Sequence, residues 1–178
     1  EIVRDISSFF VFIIIICPYI HLCKQWQEEA ARFGLNAIIA AESKSKWLEN
    51  AYKLVRDFNQ SRLSYGCIIT TTSTFRMNNL REIFDEFQVW EKTLIIADEM
   101  HHCGSKEILK TLPEKTLFRL GLSATPVRQY DEYGSEILLD FFGGVVFRFG
   151  LEDAIEKGFL TPYFYYPIPV NLTVTEFD

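Results

Sequence analysis

The chain has 178 residues, a formal net charge of −6, and 48% hydrophobic and 15% aromatic residues. That composition excludes a disordered segment, which buries too little apolar surface to offset its ordering entropy, and it suits one domain of ordinary size with a substantial core. The acidic balance excludes the overall basic field of a dedicated nucleic-acid module, although a local groove on an acidic body can still be basic.

Glu1 to Ser8 reads as the last turns of a helix with no N-cap before it. Phe9 to Cys17 (FFVFIIIIC) is apolar without alternation, which predicts a strand covered on both faces of a parallel sheet. It is far short of the ~20 residues that span a bilayer, so no membrane association is expected. Pro18 and Tyr19 break the strand. Ile20 to Phe33 follows as an amphipathic helix with Cys23, Trp26, Ala30 and Phe33 on its apolar face and Gly34 as its stop. Trp26 there reads as core packing. Leu35 to Ala40 is a second strand, and Ser43 caps a helix running to Phe58. Tyr65 to Thr71 is a third strand leading into the hydroxyl-rich Thr70–Thr74, with a helix from Phe75 to Phe87 after it.

Thr93 to Gly104 reads TLIIADEMHHCG, a short buried strand that stops at two adjacent carboxylates, Asp98 and Glu99. Leu117 to Leu122 is another strand, ending in Ser123, Ala124 and Thr125. Ser135 to Phe142 reads as a helix, Val145 to Phe149 as a strand, and Leu151 to Lys157 as a helix ended by Gly158. Tyr163 to Val174, with two prolines, is an edge strand or an exit linker. This alternation predicts an α/β fold, a parallel sheet with helices on both faces. No C-x-x-C motif joins Cys17, Cys23, Cys67 and Cys103, so reduced cytosolic thiols and a cytoplasmic location are expected.

Carboxyl ends of parallel strands open onto the crevice where ligands sit. Two acids at that edge suit a divided task, one holding a hard divalent cation and the other orienting or deprotonating a water; a solvated pair opening a loop is the plainer alternative. If the strands ending at Asp98 and at Ser123 are neighbours, His101 can hydrogen-bond Ser123 or Thr125. Adjacent His101, His102 and Cys103 lack the second cluster that a structural zinc site needs. Cys103 with His101 as base lacks any visible oxyanion-hole motif.

The motifs Asp98-Glu99-Met100-His101, Ser123-Ala124-Thr125 within GLSATP, and Cys17-Pro18-Tyr19 with Leu22 and Gln25-Trp26 resemble motifs II, III and Ia of superfamily 2 DExH-box helicases and translocases. The strand end at Thr71 and Ser73 resembles a further motif, and LEDAIEKGFLTPY resembles the segment leading out of the first RecA-like domain in restriction-enzyme helicase subunits and repair helicases. The resemblance implies a RecA-like sheet over residues 1–162, incomplete at its N-terminus, with 163–178 leading toward a second RecA-like domain. It implies Asp98 and Glu99 as the Mg²⁺-facing pair, Glu99 acting on the water that attacks ATP, and His101 with Ser123, Ala124 and Thr125 as the coupling element. Pro18, Tyr19, Thr71 and Ser73 would lie along a nucleic-acid backbone, DNA in preference to RNA. Nuclease or methyltransferase subunits are further implied partners, and a nucleoid association if the source is bacterial.

One departure stands out. None of the nine glycines is followed by Lys and then Ser or Thr, so the phosphate-cradling loop G-x-x-x-x-G-K-[ST] is not in this sequence. In the family it precedes the first motif, and the expectation is that it falls upstream of Glu1, leaving this chain alone without ATPase or unwinding activity. Two other readings stay open: a non-catalytic ATPase-like scaffold, or a Mg²⁺-dependent nuclease or phosphatase drawing further carboxylates from Asp131, Glu132 and Asp140.

Overall fold

Strand β1, Val11–Cys17, is buried along its whole length. A run of this kind can only sit in the middle of a sheet covered on both faces, and it does. In the computed structural model, which describes residues 10–125 and 131–169, β1 pairs in parallel with β3 (Tyr65–Thr71) on one side and β4 (Thr93–Ala97) on the other. β2 (Ile38–Ala40) lies beyond β3 and β5 (Phe118–Gly121) beyond β4, giving the order β2-β3-β1-β4-β5, all parallel. The expected RecA-like α/β sheet is therefore present.

Alternate residues of β1 feed two separate cores. Phe12, Ile14 and Ile16 pack with Trp47, Ala51, Val55 and Phe58 of α2 (Lys44–Asn59), Leu80, Ile83 and Phe84 of α4 (Asn78–Phe87), and Leu138 of α6 (Glu132–Phe142), the short α5 (Lys106–Leu109) coming between the last two in the chain. Val11, Ile13, Ile15 and Cys17 pack with Cys23 and Trp26 of α1 (Ile20–Arg32) on the opposite face. Each isoleucine buried this way is worth about 1.5–3 kcal/mol, so the strand is anchored from both sides. Gly66 of β3 sits beside Phe12, and a Cβ there would lie 2.3 Å from Phe12 Cε2. The Phe12 ring in turn stands edge-on to Phe58 at 5.3 Å and Phe84 at 5.0 Å. Glycine leaves the gap that the ring fills.

Several elements differ from the sequence reading. The helix expected from Phe75 to Phe87 is two helices, α3 (Thr72–Arg76) and α4, parted by extended Met77. Thr71 starts α3 because its Oγ1 accepts the Thr74 N–H at 3.3 Å, a cap that outweighs the modest helix propensity of Thr72, Ser73 and Thr74. Ser43 stands at the N-cap of α2 but makes no capping bond; its hydroxyl lies 2.9 Å from that of Ser45. Phe33 is 75% exposed rather than core, because it lies past the last turn of α1, at the C-cap before Gly34 (φ +78°). Val145 to Phe149 forms no strand. It follows two glycines in left-handed conformation, Gly143 and Gly144, and the division of the chain into compact units (Glu1–Val146 and Phe147–Asp178) falls inside it. In the second unit, α7 (Leu151–Glu156) is capped by Asp153 Oδ2 accepting the Gly150 N–H at 2.9 Å, and 161–169 has no regular structure. The helix expected over Glu1 to Ser8 and the segment from residue 170 lie outside the described residues. Among the described residues, no helix is long and apolar enough to cross a membrane.

Candidate active site

The Asp-Glu loop leaves the carboxyl end of β4 pinned from both sides. Asp98 N–H donates to Ile16 O of β1 at 2.8 Å, Leu122 N–H donates to Ala97 O at 2.8 Å, and Met100 N–H donates to Leu122 O at 2.9 Å. Met100 is buried, and its Sδ occupies the space over Gly121, where a Cβ would come within 2.3 Å. The methionine thereby locks the turn onto β5. Glu99 between them adopts a left-handed backbone, φ 47° and ψ 54°. A residue with a Cβ held there stores strain of the kind that gathers at working sites.

Both oxygens of Asp98 are held. Oδ1 accepts the Glu99 N–H at 3.1 Å, and Oδ2 accepts the Trp26 indole Nε1–H at 2.9 Å. The Glu99 carboxylate, 41% exposed, has Oε2 3.4 Å from His101 Nδ1. The same Nδ1 lies 3.0 Å from Ser123 Oγ. Two oxygens facing one ring nitrogen, one of them a carboxylate, favour the tautomer with the proton on Nδ1. Ser123 Oγ also accepts the Thr125 N–H at 3.2 Å, so both its lone pairs are used and its own proton is left to donate outward. The expected link between His101 and the second strand end is thus made at Ser123. Thr125 joins through its backbone, and Ala124 and Thr125 are exposed.

Tyr19 is brought to this loop as well. It is 54% exposed, stacks on His21 at 5.6 Å and meets the His102 ring edge-on at 5.8 Å, while His102 lies 4.5 Å from His101. Pro18 beside it is half-buried. On the next strand Thr71 is buried, and its hydroxyl is engaged with Thr74 and, at 3.0 Å, with Ser73 Oγ; exposed Ser73 is the outer member of that pair. Cys103 is fully buried, and burial pushes its thiol up to about 12. Three features had no signature in the sequence: the Trp26 contact, the His21–Tyr19–His102 row and the backbone of Glu99.

Asp131 is spent capping α6, accepting the Gly134 N–H at 2.8 Å. Among the described residues no three His, Cys, Asp or Glu side chains come together as a metal cage. Two hard carboxylates alone fit Mg²⁺ that keeps most of its waters and is shared with phosphates, not an ion caged by protein.

Comparisons with known proteins identify the family and the fold. A family model described as type III restriction enzyme, res subunit, matches residues 2–128. The chain is 28% identical over 163 residues to a probable helicase of African swine fever virus, covering 85% of this chain and 18% of that protein. It is 29% identical over 119 residues to a putative DNA 3'-5' helicase, Rad25, of Halobacterium salinarum, covering 67% of this chain and 17% of that protein. The chain therefore spans less than a fifth of the length of these curated relatives. The crystal structure of the Pyrococcus furiosus Hef helicase domain superposes with a TM-score of 0.53 at 17% identity, over 80% of this chain and 29% of that one, a likeness of fold. With its parallel sheet, its Asp-Glu-Met-His and Ser-Ala-Thr loops side by side, and a family match over well more than half its length, this chain belongs to the type III restriction enzyme res-subunit family, as a first RecA-like domain of the superfamily 2 helicase kind.

Proposed function

We propose that the chain forms the catalytic edge of a motor that couples hydrolysis of Mg-ATP to movement along DNA. The observation that carries this reading is the contact between His101 and Ser123, which ties the carboxylate loop to the end of the neighbouring strand at 3.0 Å. Mg²⁺, when bound with the nucleotide, neutralises charge on the phosphates. Asp98 is the residue that holds it, through water. Glu99 orients the attacking water and accepts its proton at the carboxylate, a role that its partial exposure permits. His101 and Ser123 pass a change at Glu99 to the Ser-Ala-Thr loop.

Pro18, Tyr19 and Ser73 line the same edge as neutral contacts to a nucleic-acid backbone, and buried Thr71 shapes the turn beneath them. DNA is favoured because the Halobacterium relative is named a DNA helicase. The phosphate-cradling loop is supplied by a segment outside this chain. Supporting that, among the described residues β5 pairs only with β4, and its Phe118 is half exposed, an apolar edge able to take another parallel strand. A second RecA-like domain completes the motor, and this chain alone neither turns over ATP nor unwinds DNA. The cytoplasm, with its reducing conditions, suits the four unpaired cysteines.

The test is Glu99→Gln in the full-length gene product. Loss of general-base action lowers ATP turnover about 10²–10⁴-fold while nucleotide binding persists. Turnover that survives the substitution would show that another group activates the water.

A further inference from the structure

We infer that Trp26 is a positioning residue for the Asp98 carboxylate. The inference rests on the ATPase reading above for its purpose, but its geometry stands independently. Trp26 lies on α1 between buried Cys23 and Ala30, facing the sheet, and its indole N–H reaches across 72 positions of sequence to Asp98 Oδ2 at 2.9 Å. The other contact to that carboxylate, from the Glu99 N–H, comes from the adjoining residue and moves with the loop. Two torsions orient a carboxylate, and a local contact leaves it free to swing with its own turn. A donor on a separate, packed helix does not.

The choice of donor is specific. An indole N–H can only donate, and toward an ionised carboxylate the bond is charge-assisted and directional. If Trp26 were only filling space against Val11, Ile13 and Ile15, phenylalanine would serve. The other two tryptophans provide the contrast: among the described residues the buried Trp47 nitrogen has no hydrogen-bond partner, and the Trp90 N–H goes to Asp85, five residues away. Since α1 begins immediately after Tyr19, the same bond joins the Pro18–Tyr19 segment to Asp98. A displacement of α1 is thereby felt at the carboxylate by a route separate from the one through His101.

Two measurements test this. In this chain labelled with ¹⁵N, Asp98→Ala should move the Trp26 indole proton upfield and leave those of Trp47 and Trp90 in place. In the full-length gene product, Trp26→Phe should raise the Mg²⁺ concentration needed for half-maximal ATP turnover about 10–100-fold, the usual cost of losing a group that orients a metal-facing side chain. Trp26→His, which restores a ring N–H, should recover part of that loss. An indole resonance indifferent to Asp98→Ala overturns the inference, as does Trp26→Phe with an unchanged Mg²⁺ dependence in a protein that Asp98→Ala inactivates. Turnover that survives Asp98→Ala sinks the ATPase reading instead. Should Trp26→Phe fail to fold, the indole resonance decides alone.

Discussion

Replacing Glu99 should move stability and activity in opposite directions. Its backbone sits at φ 47°, ψ 54°, in the left-handed region. For a residue with a Cβ that conformation costs about 1–2 kcal/mol. Glycine escapes the cost but loses about 0.5–1 kcal/mol in extra unfolded-state freedom. Comparing Glu99→Gly with Glu99→Ala removes the side-chain contribution, because both lack the carboxylate that lies 3.4 Å from His101. The glycine variant should then be the more stable by about 0–1.5 kcal/mol, or up to about 6 °C in Tm for a chain of this size. Urea unfolding followed by circular dichroism reads the difference. Gln88→Gly is the control, since exposed Gln88 holds a similar left-handed backbone (φ 52°) at the end of α4 and should gain a comparable amount without touching the site. In the full-length gene product both Glu99 variants lose turnover. If alanine proves more stable than glycine, the left-handed backbone costs less than the glycine entropy and the reasoning fails.

Three further outcomes are expected. A double-mutant cycle on His101→Ala and Ser123→Ala should give a coupling of about 0.5–1.5 kcal/mol for their half-buried hydrogen bond, and strictly additive losses would mean the two loops are not joined there. Gly66→Ala should destabilise by about 1–3 kcal/mol because the Phe12 ring, wedged between Phe58 and Phe84, has nowhere to retreat, and Phe12→Leu in the same chain should restore part of it; a neutral Gly66→Ala disproves the crowding. Cys67 and Cys103, pushed up to about 12 by burial, stay protonated below that pH, so at pH 8 alkylation in the folded chain should run about a thousandfold slower than in urea, where an ordinary thiol near 8.5 ionises. Equal rates in the two states would mean that these thiols are not enclosed.

Much of this molecule was legible from residue pattern. An unbroken apolar run such as Val11–Cys17 admits few places except the centre of a parallel sheet, and Thr93–Ala97 ending at Asp98 had to present its acids at an edge. His101 beside Ser123 followed once those strands were taken as neighbours. What escaped depended on direction, which composition does not encode. Trp26 has the hydrophobicity of a core residue, and only the tilt of α1 decides that its nitrogen meets Asp98. The family resemblance implied Thr71 as a contact to a nucleic-acid backbone, while its hydroxyl, buried, is used turning its own chain. Val145 to Phe149 is apolar and β-branched enough to read as a strand, but composition gives no pairing partner, and two left-handed glycines turn the chain just before it. Helix ends were misjudged for a related reason: at Met77 and Phe33 the backbone departs from helical rotation while the apolar spacing still suggests it.

The far side of β5 has a practical consequence. Among the described residues its outermost main-chain amides and carbonyls are unpaired in the sheet, and, flanked by Leu117, Phe118 and Leu122 at the surface, they form a ready template for an extended polypeptide that comes near. Handled at high concentration by itself, the chain therefore invites growth into filaments or precipitates through that border, and a lysine at 118 would blunt it by placing charge where two such borders would otherwise meet.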